Sequence, residues 1–136
     1  NMPKRTVGGI DNGRVALLLA VLEKRAGKKL FDQDVYINVA GGLELDDPAA
    51  DLAVCLAVAS SLENFQLGAA LSVMGEIGLC GEVRPIAQAE RRVAECVRLG
   101  FTDILLPKQN LKNIPPMEGV RLTGVDTLMQ ALAVVH

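Results

Sequence analysis

Two stretches of the chain are apolar in every direction, and the rest alternates in shorter periods. Residues 14–26 hold the run Val15-Ala-Leu-Leu-Leu-Ala-Val-Leu22, with Asp11 or Asn12 ahead of it as a helix cap and Gly27 behind it as a stop. The spacing predicts a helix with no polar face, which needs cover on more than one side, by a sheet and by a second helix or subunit. Residues 34–40 alternate and are β-branched, a strand that Gly41 and Gly42 end. A second helix follows to about residue 62, with Asp47 as N-cap and Pro48 at the first helical position, and it too is apolar nearly all round. Residues 69–74 read as a short buried strand, and Gly75, Gly78 and Gly81 punctuate a hairpin of pieces around 77–79 and 82–84. Residues 88–99 are amphipathic: Ala89, Val93, Cys96 and Val97 share one face, Glu90, Arg91, Arg92, Glu95 and Arg98 the other, and Gly100 closes the helix. Strands at 103–106, stopped by Pro107, and at 120–123 precede a closing helix over 127–134 that Asp126 is placed to cap. Strands interleaved with helices around a central hairpin make an α+β, layered α/β domain with a mixed sheet and packed helices.

Length and composition bound this picture. A chain of 136 residues, half of them hydrophobic, is a single domain over 1–136 with a core of its own. Asn1 ahead of Met2 reads as the remnant of a removed tag, with 1–8 as remnant and linker, so the chain is expected to be a piece of something longer. The net charge of -2 gives no global attraction to nucleic acid or an anionic membrane, so any basic site must be a local patch. With 3 Phe, 1 Tyr and no Trp, the chain lacks rings for a base-stacking platform, and its core must be aliphatic. Cys55, Cys80 and Cys96 are odd in number and widely spaced, which writes neither a disulfide framework nor a zinc site. A soluble protein of the reducing cytoplasm, with no membrane partner, is the expectation, since the longest apolar run, Val15 to Leu22, is too short to span a bilayer.

Little catalytic chemistry is in view. The one histidine is His136, the last residue, so a Ser-His or Cys-His relay has no base to draw on. Neither a GxxxxGK[ST] nor a GxGxxG loop occurs, so no ATP site is expected. Glu44, Asp46, Asp47 and Asp51 cluster at the start of the second helix, where a cation is conceivable. Capping and the helix dipole account for acids there, and the cation-loop pattern is absent, so no metal is assigned. Cys55 and Cys96 read as core residues, and Cys80 has no base beside it.

Two segments carry a resemblance. Gly41-Gly-Leu-Glu-Leu-Asp-Asp-Pro-Ala-Ala-Asp-Leu-Ala53 and Met74-Gly-Glu-Ile-Gly-Leu-Cys-Gly-Glu-Val-Arg-Pro-Ile86, with the helix after it, resemble the signature segments of the Lon protease proteolytic domain. That resemblance implies a fold like ribosomal protein S5 domain 2. In that family the first segment carries Gly-Pro-Ser-Ala-Gly with the nucleophilic Ser, and the second leads into Gly-Gly-Leu-Lys with the Lys base. Here the Ser position is Ala49, the final Gly is Asp51 and the Lys position is Glu90, so the chemistry of a hydroxyl activated by a neutral amine is absent. These departures, together with Asp34-Val-Tyr-Ile-Asn-Val-Ala-Gly-Gly, Val15 to Gly27 and Leu99-Gly-Phe-Thr-Asp-Ile-Leu-Leu-Pro-Lys, are similar to the C-terminal domain of the RadA (Sms) family of bacterial DNA repair proteins. The resemblance implies a non-catalytic scaffold within a hexameric, DNA-dependent ATPase of recombination and branch migration. It also implies partners in further copies of itself, in DNA and in the recombinase RecA. No cofactor belongs to these 136 residues; ATP, Mg and Zn go with the family's N-terminal zinc finger and motor.

Two other readings stand beside it: a Lon-class peptidase with an unconventional site, and a stand-alone interaction domain unrelated to DNA. Ala49 and Glu90 speak against the peptidase. DNA contact needs a basic surface, for which Arg14, Arg84, Arg91, Arg92, Arg98 and Lys108 are the candidates. The competing account has Arg91 paired with Glu95 and Glu95 with Arg98 along a solvated face. Two all-apolar helices also predict self-association.

Overall fold

The computed structural model describes residues 3–136. Asn1 and Met2, assigned above to the tag remnant, lie outside the described residues. The linker assignment needs correcting for the rest of that segment: Arg5–Gly8 is strand β1, parallel to β2 (Val35–Asn38) with Arg5 opposite Val35 and Gly8 opposite Asn38. Four residues beginning with Arg and ending in Gly carry too little alternation to announce a strand; the pairing with β2 makes it one.

Helix α1 (Asn12–Ala26) starts where the Asp11 carboxylate accepts the Arg14 N–H at 2.9 Å, and it stops at Gly27, whose φ of 68° takes the left-handed turn. After β2, a 3-10 turn at Ala40–Gly42 and a second at Pro48–Ala50 lead into α2 (Asp51–Glu63). Asp47 caps this entry through the Ala49 N–H at 3.0 Å with Pro48 next in line, as its sequence position implies.

The second half holds strands β3 (Leu71–Val73), β4 (Glu76–Ile77) and β5 (Val83–Arg84), then helix α3 (Ala89–Arg98) and strand β6 (Asp103–Pro107). A single helical turn, α4 (Lys108–Leu111), follows Pro107 before β7 (Arg121–Val125) and α5 (Leu128–Val135). The α5 cap differs from expectation: Thr127, not Asp126, accepts the Gln130 N–H, at 3.1 Å, while the Gln130 side chain reaches back to the Asp126 N–H at 2.7 Å. This is the reciprocal logic of a capping box, and it selects the hydroxyl three residues before Gln130.

The strands are both parallel and antiparallel, as a mixed α/β fold requires, but they fall into three sheets: β1–β2, β3–β6–β7 and the β4–β5 hairpin. The side-chain period of β6 explains how the halves join. Leu105 faces one core with Leu18, Leu22, Leu52, Leu56 and Leu128 from α1, α2 and α5. Its neighbours Ile104 and Leu106 face a second core with Met74, Ala89, Val93 and Ile114. Helix α3 and the three-helix layer therefore lie on opposite faces of one parallel sheet.

Candidate functional site

The site is assembled where the start of α2 meets the loop before β4. Gly75 donates its N–H to the Ala49 carbonyl at 2.9 Å, and Leu52 donates to the Gly75 carbonyl at 3.0 Å. Both signature segments are thus laced together by backbone. Ala49 is 7% exposed and Asp51 2% exposed at this seam.

A carboxylate that far from water needs partners. Asp51 Oδ1 accepts from Arg14 Nε at 2.9 Å, and Asp51 Oδ2 accepts from the second Arg14 nitrogen and from the Ile77 N–H, the latter at 3.0 Å. Glu76 stands 4.0 Å from the same guanidinium. The hydrogen bond to Asp51 raises the Arg14 pKa above its ordinary value in spite of desolvation. This bidentate pair ties α1, α2 and β4 into one block. Asp47 does a parallel job at the rim, where Arg92 Nη1 lies 2.9 Å from Asp47 Oδ2 and Arg92 Nε donates to the Ala87 carbonyl at 2.9 Å. The Ala49 N–H, and after it Arg92, holds the Asp47 carboxyl below its usual range.

The ion pair between Asp47 and Arg92 brings the start of α3 against the segment that contains Ala49. The two positions assigned to nucleophile and base therefore belong to neighbouring segments, Ala49 two residues after Asp47 and Glu90 two residues before Arg92. Ala49 presents a buried methyl, and Glu90 is exposed, without an ion pair among the described residues. The acids Asp11, Glu44, Asp46, Asp47 and Asp51 do line one pocket of about 510 Å³ with Arg14. Asp11, Asp47 and Asp51 are committed to caps and arginines, and among the described residues no group of three or more His, Cys, Asp or Glu side chains forms a metal cage.

Of the cysteines, Cys55 is buried and desolvation, with Asp51 second, pushes its thiol up to about 12, far from a reactive thiolate. Cys96 shares a hydrogen bond with Ser72 at 3.1 Å, and Cys80 is exposed.

The basic candidates do not form one free patch. Arg14 is engaged inside the fold, Arg84 lies 3.3 Å from Glu82, and Arg98 Nε donates to Glu95 at 3.0 Å. Arg92 is held by Asp47, and Lys108 stands 3.9 Å from Asp126. Arg91 hydrogen-bonds Gln88 at 3.4 Å and has no acidic partner among the described residues. The expected pair of Glu95 with Arg98 is present; Arg91 turns to Gln88 instead of Glu95. Sequence reading missed the ion pairs of Arg14 with Asp51 and of Arg92 with Asp47, because 37 residues separate the first two and no local pattern links them.

Against known families, residues 17–133 match the Lon protease (S16) C-terminal proteolytic domain. The chain belongs to that family. Among curated proteins, this Lon-family chain is 44% identical over 132 residues to the DNA repair protein RadA of Halalkalibacterium halodurans, covering 97% of the chain and 29% of that protein. It is 45% identical over 132 residues to the DNA repair protein RadA of Streptococcus pyogenes serotype M3, covering 97% and 29%. With the DNA repair protein RadA of Bacillus subtilis it shares 45% over 130 residues, covering 96% and 28%. The chain thus spans less than a third of the length of these relatives. No helix among the described residues is long and apolar enough to cross a membrane.

Proposed function

We propose that the chain is the non-catalytic Lon-type scaffold domain of a RadA-like DNA repair protein of the cytoplasm. In this reading it supports ring assembly and DNA binding by a DNA-dependent ATPase of recombination and branch migration. What supports the non-catalytic part is the seam itself: Ala49, at the position that the resemblance gives to the nucleophile, is a buried methyl, and two residues on the Asp51 carboxylate is paired with Arg14. Similarity to RadA proteins supports the DNA repair assignment. ATP, Mg and Zn would belong to the remainder of such a protein, and RecA would be its recombinase partner.

Of the basic candidates, Arg91 is the one with no acidic partner among the described residues, so phosphate contact would begin there, with Arg92 released from Asp47 as a second. In a full-length RadA protein, changing the residues aligned with Arg91 and Arg92 to Ala should weaken DNA binding without sequence selectivity. Each lost phosphate contact should flatten the slope of log affinity against log salt by about 0.7 to 0.9. Removing the whole region aligned with this chain should also reduce the sedimenting ring to smaller species. An intact ring with unchanged affinity and salt slope after that removal would overturn the proposal.

A further inference from the structure

A hollow of about 750 Å³ has neither Ala49 nor Asp51 in its lining; it runs along β2 and is floored by α2. In a parallel ladder alternate residues face the partner strand. Val35 donates to the Lys4 carbonyl at 2.9 Å and Val39 to the Gly8 carbonyl at 3.0 Å, so the odd-numbered residues of this stretch face β1. The amides and carbonyls of Tyr36 and Asn38 therefore point to the other edge, where β2 has no neighbour among the described strands. Beside that edge, Ala53, Ala57, Val58 and Leu62 of α2 line the hollow with aliphatic side chains.

An open backbone edge next to an apolar helix face is half of a strand site: the edge supplies hydrogen bonds, and the face takes the side chains at alternate positions. A two-stranded sheet is also marginal by itself, and a third strand with a hydrophobic face is what gives such a sheet stability. We propose that this groove is the seat of a further β-strand, which extends the β1–β2 sheet at β2 and lays apolar side chains on α2. Resting on the reading proposed above, in which the chain is part of a RadA-like protein, we assign that strand to a segment of the same polypeptide outside these 136 residues with apolar residues at alternate positions. Two observations favour that source. The floor is apolar but for Ser61, closer in character to a permanent core than to a transient docking face. The relatives carry most of their length outside the region matched here, which is ample chain to supply a strand.

The test uses a full-length RadA protein, for example that of Bacillus subtilis, so that nothing depends on the isolated chain folding. Site-resolved amide hydrogen exchange at the positions aligned with Tyr36 and Asn38 should show protection of about 100-fold or more over open chain, comparable with the amides that face β1. Exchange at the open-chain rate there would overturn the proposal. A photo-cross-linking residue at the position aligned with Ala57 identifies the occupant. A cross-link within one polypeptide is expected, and a cross-link between two polypeptides would overturn the assignment in favour of a second copy.

Discussion

At the scale of single residues, the fold depends most on a pair that no sequence pattern announces. Arg14 reads as an exposed base at the head of a helix and Asp51 as one acid among four; three-dimensional proximity makes them a bidentate pair in which Asp51 is buried and Arg14 half-buried. Removing one member of such a pair costs more than the pair contributes, because the survivor is left charged and partly dry. The two removals are not equal. Without Asp51, Arg14 still has Glu76 and water within reach; without Arg14, a carboxylate 2% exposed keeps one N–H. Arg14→Ala should therefore lose about 3 to 5 kcal/mol in urea unfolding, Asp51→Ala somewhat less, and the double variant clearly less than their sum. Additive losses would show that the two side chains are not coupled. Asp47 gives a second prediction. Its carboxyl is held below the usual range, first by the Ala49 N–H and then by Arg92, so its contribution is present above the unfolded value near about 4 and fades as pH falls through the lower folded value. Asp47→Asn keeps a cap acceptor but not the charge. It should shrink the loss of urea midpoint between about pH 6 and about pH 3, and an unaltered loss would remove Asp47 from the account.

At the scale of elements, the helices were the most legible part of the sequence because their ends are chemical. Asp11, Gly27, Asp47 and Pro48 act where their residue types say they should. The strands were less legible. β1 is four residues long and took the look of a linker, and the single turn α4 hides behind Pro107, whose presence argues for a stop. The cap of α5 was misplaced by one residue because Asp126 and Thr127 are both good caps, and only the reach of Gln130 decides between them. Thr127→Ala should lower stability by about 1 kcal/mol in thermal or urea unfolding, whereas Asp126→Ala should change it by a few tenths. The reverse order would restore Asp126 as the cap.

At the scale of the whole molecule, the layered α/β class followed from the order of elements, while the division into three sheets did not, since pairing partners far apart in sequence leave no periodic trace. The candidate site divides the same way. The signature segments around Ala49 and the α3 start were visible as sequence, and their meeting through Asp47 and Arg92 was not. The basic residues were visible as charges and the pair of Arg98 with Glu95 as a helix spacing, but the pairing of Arg84, Arg92 and Lys108 with Glu82, Asp47 and Asp126 belongs to the folded surface. In the reading proposed above, the junction of Ala49, Asp51 and Gly75 in this Lon-type fold is structural and not catalytic. The most direct test is peptidase activity. The purified chain, incubated with unfolded casein and with fluorogenic peptides, is predicted to release product at the buffer rate. Turnover that survives repurification and disappears when residues around Ala49 are changed would contradict the account.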